Sequence, residues 1–130
     1  GIRVRSSTLT TLTNNGTISS TTVGDTAFGV GFTAGNNTTI TNNGTISGIS
    51  DASSGFGVRL FQTTTTDFLN TGTIKGTAVT EWGTGIRLTS STITTLTNTG
   101  TITGTAPRNG SDIFVDGTSN LVNFNNLQSD

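Results

Sequence analysis

Apolar residues keep a beat of two over short stretches of this chain and a beat of 28 over long ones. Ile2 and Val4 flank Arg3, Leu12 lies between Thr11 and Thr13, and Ile18 lies between Thr17 and Ser19. Successive side chains of a strand point to opposite sides, so this alternation marks strands with one buried face. Gly, Asn and Ser clusters separate the stretches and read as turns. Each unit predicts three short strands and requires no helix.

The long period is strict. Asn14, Asn42, Asn70, Asn98 and Asn126 stand 28 residues apart, and Gly16, Gly44, Gly72 and Gly100 follow the first four, each continuing as Thr-Ile. A second anchor keeps the same spacing: Gly1-Ile2-Arg3-Val4, Gly29-Val30-Gly31-Phe32, Gly57-Val58-Arg59-Leu60 and Gly85-Ile86-Arg87-Leu88. A fifth copy, Asp112-Ile113-Phe114-Val115, arrives one residue early, so a compensating residue is expected near Asp116-Gly117. Regular units without insertions predict an all-β fold, a parallel β-solenoid of about four and a half coils of 28 residues with three short strands each. At about 4.8 Å per coil the rod is roughly 20 Å long. The chain reads as a single segment with repeats at 1–28, 29–56, 57–84 and 85–111 and a partial one at 112–130, and as a piece of a longer polypeptide. An antiparallel sandwich is the competing architecture, since Asn15-Gly16 and Asn43-Gly44 resemble hairpin turns; Thr71 and Thr99 break that pattern. A 14-residue unit fails, because it superimposes Leu12 on Thr26 and Asn14 on Phe28.

Stacking makes columns. Ile2, Val30, Val58, Ile86 and Ile113 form one apolar ladder; Val4, Phe32, Leu60, Leu88 and Val115 a second; Ile18, Ile46, Ile74 and Ile102 a third; Leu12, Ile40, Phe68, Leu96 and Phe124 a fourth. Each buried member contributes about 1.5–3 kcal/mol. By parity with Leu12, the column Thr10, Thr38, Thr66, Thr94 and Val122 is expected inside with its hydroxyls bonded. The Asn column at Asn14, Asn42, Asn70, Asn98 and Asn126 is expected to turn inward at a corner, its amides bonding down the axis and to the turn backbone. The least repetitive segments, 19–27, 47–54, 75–82 and 103–111, are expected to leave one corner as loops, where recognition commonly sits.

Thr, Gly, Asn and Ser supply more than half of the 130 residues, a polarity that would suggest disorder in a chain without repeats. Low charge and a β-branched majority residue point instead to strands. With no Cys and no His, a thiolate nucleophile, a Ser-His-Asp triad, a disulfide and a zinc site of nitrogen and sulfur ligands are excluded, and no cofactor is expected. The net charge of −1 gives no footprint for nucleic acid, and no apolar run here is long enough to span a bilayer.

Units such as Gly85-Ile86-Arg87-Leu88 followed by Thr95-Leu96-Thr97-Asn98-Thr99-Gly100-Thr101-Ile102 resemble the passenger repeats of bacterial autotransporters, the type V secreted surface proteins. The phrase Thr-Asn-Asn-Gly-Thr-Ile-Ser at 41–47 is similar to one that recurs in that family, and the likeness covers all four complete units. It implies a right-handed parallel β-helix, export through an outer-membrane barrel not present in this segment, and an extracellular or cell-surface location. It also implies adhesion, self-association or biofilm formation rather than a single activity, with sister passengers, host proteins or extracellular glycans as partners. The alternatives are the scaffold of a carbohydrate-active β-helix enzyme and an ice-binding solenoid.

The candidate surface residues are Arg59, Arg87, Phe56 and Trp82. Arg59 and Arg87 occupy equivalent positions in adjacent units, where two stacked cations repel by about 1 kcal/mol in water and more near a low-dielectric surface. Their partner is expected to be an acid, Asp51 or Glu81, or else an acidic sugar or phosphate. Phe28, Phe56, Phe61, Trp82 and Phe114 either pack loops against the wall or form an exposed aromatic stripe. Thr-x-Thr triplets at 11–13, 39–41 and 95–97 form flat outward ranks, as ice binding would need, but Asp67-Phe68-Leu69 interrupts them. For hydrolysis, Asp67 and Asp116 are the carboxylates closest to strands, and catalysis is not expected from so few acids. Sequons at Asn15, Asn36, Asn37, Asn43 and Asn109 are read as chance in so Asn- and Thr-rich a chain.

Overall fold

The 28-residue period is one coil of the backbone: Ile18 pairs with Ile46, Ile46 with Ile74 and Ile74 with Ile102, all in parallel register. A computed structural model describes residues 1–127 as a parallel β-solenoid, with no helix among them. The strands are β1 (Ile2–Arg5), β2 (Leu9–Asn14), β3 (Thr17–Thr22), β4 (Ala27–Asn42), β5 (Thr45–Ser50), β6 (Gly55–Asn70), β7 (Thr73–Ala78), β8 (Trp82–Thr89), β9 (Thr92–Asn98), β10 (Thr101–Thr105), β11 (Asn109–Val115) and β12 (Asn120–Asn126). The pairings β1-β4-β6-β8-β11 make one wall, β2 on β4 and β6-β9-β12 continue it round a corner, and β3-β5-β7-β10 close the coil as a second sheet. The fifth copy is displaced as expected: Ile113 pairs with Ile86, one residue short of a full period, and Asn126 with Asn98, back on it.

Three strands per coil is too many for the middle of the rod, where the first two run on as the 16-residue β4 and β6. The bend between them is a column in the left-handed region, Ser6, Ala34, Gln62 and Ser90, with φ of 50°, 54°, 54° and 48°. None is glycine, although each non-Gly residue held there costs about 1–2 kcal/mol. The loop-bearing corner expected from sequence is also absent. Strands extend to Thr22, Ser50, Ala78 and Thr105, and only short tight turns separate them from the next wall. Equal repeat lengths leave no extra residues with which to build a protruding loop.

The apolar ladders fill the interior as expected, Val30, Val58, Leu60, Ile46, Ile74, Ile86 and Leu88 all being fully buried. Parity with Leu12, however, put the wrong column inside. Thr10, Thr38, Thr66 and Thr94 are exposed, and Val122 is 60% exposed. The inward column is Leu9, Asn37, Thr65, Ile93 and Leu121, because pairing passes from Leu9↔Asn37 directly to Thr11↔Thr39 in every coil, and the residue left unpaired on each strand breaks the alternation. Its two polar members are buried, and the amide of Asn37 and the hydroxyl of Thr65 reach no protein partner. Elsewhere the cross-section is pinched. A Cβ on Gly48, Gly76 or Gly104 would collide with the carbonyl oxygens of Phe56, Thr84 and Ser111, so the two sheets touch backbone to backbone there.

The Asn column turns inward at its corner and bonds along the axis. Nδ2 of Asn14, Asn42, Asn70 and Asn98 donates to Oδ1 of the next Asn at 2.8, 2.8, 2.7 and 3.0 Å. The same Nδ2 groups also donate to the glycine carbonyl two residues on, and the first three to the Thr carbonyl of the next coil. Outside it runs a shorter ladder, in which Asn43 Nδ2 donates to Asn15 Oδ1 at 2.8 Å and Thr71 Oγ1 to Asn43 Oδ1 at 2.9 Å.

Candidate functional site

The outer face of the β1-β4-β6-β8-β11 wall brings three arginines, Arg3, Arg59 and Arg87, together with the rings of Phe28, Phe56, Phe61, Trp82 and Phe114. Arg3, Gly31, Arg59, Arg87 and Phe114 are register partners on successive strands. Phe28 and Phe56 pair one column away, their rings stacked with centroids 5.7 Å apart and planes at 22°. Phe56 and Arg59 face the same way because pairing skips the Gly29, Gly57 and Gly85 column, which bends the strand as a bulge does. Strict alternation would have placed Phe56 with Val58 in the core. The Arg row is interrupted at Gly31, where a Cβ would meet the Phe28 ring and the stem of Arg3 at ordinary contact distance.

Guanidinium groups and rings interleave. Arg3 lies 4.5 Å and Arg59 5.4 Å from the Phe28 centroid, so that ring is shared between two cations, and Arg59 is also 5.1 Å from Phe61. Arg87 sits among Phe56, Trp82 and Phe114 at 5.2, 5.1 and 4.9 Å. Trp82 and Phe114 meet edge to face at 5.7 Å. Each such contact is worth about 0.5–2 kcal/mol, more as water is excluded. Phe56, beneath Arg87 and Trp82, is only 5% exposed.

The expected acidic partners are elsewhere. Glu81 accepts hydrogen bonds from Ser54 Oγ at 3.1 Å and Ser53 Oγ at 3.4 Å, and Asp51 donates its backbone N–H to Thr22 O. Rings take the place of carboxylates at both arginines. Partial burial, then repulsion from Arg87 and Arg3, lowers the Arg59 pKa; burial also lowers that of Arg87, opposed by the charge of Asp116. An open groove of about 250 Å³ lies between coils, lined by Thr26, Phe28, Ser54, Phe56, Arg59, Trp82 and Arg87. All four candidate residues, Arg59, Arg87, Phe56 and Trp82, therefore border one groove. Phe28, Phe61, Phe114 and Arg3 complete the cluster, and the signal for them was the 28-residue column itself, read across to the neighbouring column.

The remaining candidates do not converge. Asp67 pairs with Thr39 and Thr95 on the outer face of the second wall. Asp116 lies two coils further along, where its carboxylate accepts from Ser119 Oγ at 2.6 Å, Thr118 Oγ1 at 3.0 Å and the Ser90 and Thr118 N–H groups. Thr11, Thr39, Thr95 and Thr13, Thr41, Thr97 do form ranks, broken at Asp67 and Leu69 and ending on Asn123 and Asn125. No group of metal-ligating side chains occurs among the described residues. No protein-family model, curated protein or solved structure matches the chain.

Proposed function

We propose that this solenoid is a structural and adhesive segment of a secreted or surface-displayed protein, built like the passenger of a bacterial autotransporter. Its task is geometric: the rod holds a continuous lateral surface away from the cell and repeats that surface at every coil. The observation that carries this reading is the Arg and aromatic stripe, which extends along the stack from Arg3 to Phe114 on the outside of an otherwise Thr- and Ser-coated wall. A side-chain cluster spread over coils suits an elongated partner touched at many weak points, which add through repetition. Partners of this kind are sister molecules, host proteins and extracellular glycans. We read the chain as non-catalytic, since Asp67 and Asp116, the acids that hydrolysis would need side by side, belong to different coils and different stretches of wall.

The test is display. Beads or cells carrying the chain are expected to clump with one another or to adhere to extracellular matrix more than those carrying an Arg3/Arg59/Arg87→Gln variant. Equal behaviour of the two would defeat the adhesive reading. Release of reducing sugar from polysaccharide, lost on Asp67→Asn or Asp116→Asn, would replace it with the enzymatic one.

A further inference from the structure

We propose that the groove between Arg59, Arg87, Phe56 and Trp82 is a binding site for a carboxylated polysaccharide, a linear chain of uronic acid residues lying along the rod axis. This deepens the adhesive reading and rests on it only for its biological setting; the site itself stands on four observations.

First, the two guanidinium groups lie against aromatic rings. Among the described residues neither Arg59 nor Arg87 forms a hydrogen bond or an ion pair within the chain. Their N–H donors are left for a planar carboxylate held two bonds at a time. Second, the arginines are partly buried and adjacent in register, an arrangement of like charges that an anion relieves. Asp116, the carboxylate whose charge acts on Arg87, is held by Ser119, Thr118 and Ser90, and Glu81 is taken by Ser53 and Ser54. Third, the groove walls include the rings of Phe56 and Trp82, and aromatic faces accept the C–H face of a sugar ring. A bare phosphate has no use for them. Fourth, the lining residues come from successive coils: Thr26, Ser54 and Trp82; Phe28 and Phe56; Arg59 and Arg87. A coil step of about 4.8 Å places the two guanidinium groups within reach of one sugar chain lying along the rod axis. Nucleic acid would demand a far longer cationic track than six basic residues balanced by seven acidic ones provide.

The experiment is calorimetric titration of the full chain with oligogalacturonate, with its methyl ester and with inorganic polyphosphate. The acid is expected to bind, and the ester and the polyphosphate to bind at least tenfold more weakly. Arg87→Gln and Arg59→Gln should each lower affinity by about tenfold or more, the loss of a charged hydrogen-bonding pair. Arg87→Lys, which keeps the charge and loses the fork, should lie between, and Trp82→Ala should weaken the acid without changing polyphosphate binding. Lys75→Gln, exposed on β7 of the other sheet, is the neutral control, and thermal melts establish that each variant is folded. No binding of the acid, equal binding of ester and acid, or binding of polyphosphate as tight as the acid and indifferent to Trp82→Ala would each overturn the proposal. Because the titration uses soluble oligosaccharide, it succeeds or fails independently of the display assay: adhesion without uronate binding removes this site alone, and uronate binding without adhesion removes only the setting.

Discussion

Asn70 sits in the middle of the amide ladder with no exposed surface, and replacing it tests whether that ladder stabilises the stack. Its Nδ2 donates to Asn98 Oδ1 at 2.7 Å and to the Gly72 and Thr101 carbonyls at 3.2 Å, while its Oδ1 accepts from Asn42 at 2.8 Å. Asn70→Ala removes all four. Asn42 keeps the Gly44 and Thr73 carbonyls as acceptors, but Asn98 Oδ1 loses this axial donor. Two good bonds at about 1 kcal/mol each and one orphaned buried acceptor at about 1–3 kcal/mol give a loss of about 3–5 kcal/mol. Asn70→Asp discriminates further. A carboxylate has only acceptors and would face Asn98 Oδ1 and two carbonyls, so its folded pKa should lie above the ordinary value near 4. The native state then binds the proton more tightly than the unfolded chain does. Stability of that variant should therefore rise as pH falls through the raised folded pKa, and level off below the unfolded one. Urea unfolding followed by the single, half-buried Trp82 measures both, and Asn70→Ala should shift the midpoint down by about 2 M. An alanine variant within about 1 kcal/mol of the parent, or an aspartate variant whose midpoint does not recover at pH 5, would refute the reasoning.

Three further outcomes follow from the stacking geometry. Gly72→Ala should destabilise the fold strongly, because its Cβ would strike the Gly44 carbonyl of the coil beneath, whereas Gly16→Ala, with open space at the same turn position, should be near neutral in thermal melting. Gln62→Val should cost about 1–2 kcal/mol at its φ of 54° while Gln62→Asn costs little, and equal midpoints in urea would show that the bend stores no strain. The bond from Ser119, with those from Thr118 and Ser90, holds the Asp116 pKa below the ordinary value, so its contribution is present above the unfolded pKa and disappears as pH falls through the lower folded one. The stability gap between the parent and Asp116→Asn should close below about pH 4, and a gap independent of pH would remove Asp116 from the turn.

The coil, its period, the Asn ladder and the one-residue slip at the fifth repeat were legible because each is a column, and a column is visible wherever identical positions recur. What alternation alone could not show was where alternation stops. Two breaks in the pairing per coil, at the Thr10 and Gly29 columns, shift the parity across them, so that Leu9 faces in with Leu12 and Phe56 faces out with Arg59. Leu9, Ile93 and Leu121, apolar at three residues before Leu12, Leu96 and Phe124, were the available sign of the first. The second had only the glycine recurring at 1, 29, 57 and 85, whose reason is a Cβ clash between coils. The left-handed corner was hidden for the opposite reason: Ser6, Ala34, Gln62 and Ser90 share a backbone conformation and no chemistry. The Arg and aromatic residues were each visible, but their union in one groove depends on the second break.

The pinch at Gly48, Gly76 and Gly104, together with ladders that join only neighbouring coils, makes each coil a separate reserve of length. Pulled from its ends, the rod would surrender one turn at a time, each releasing about 28 residues, or about 90–100 Å of extended chain, for about 5 Å of rod lost. A tether of this build lengthens under load before it breaks, and the coils that remain keep their outer surface intact.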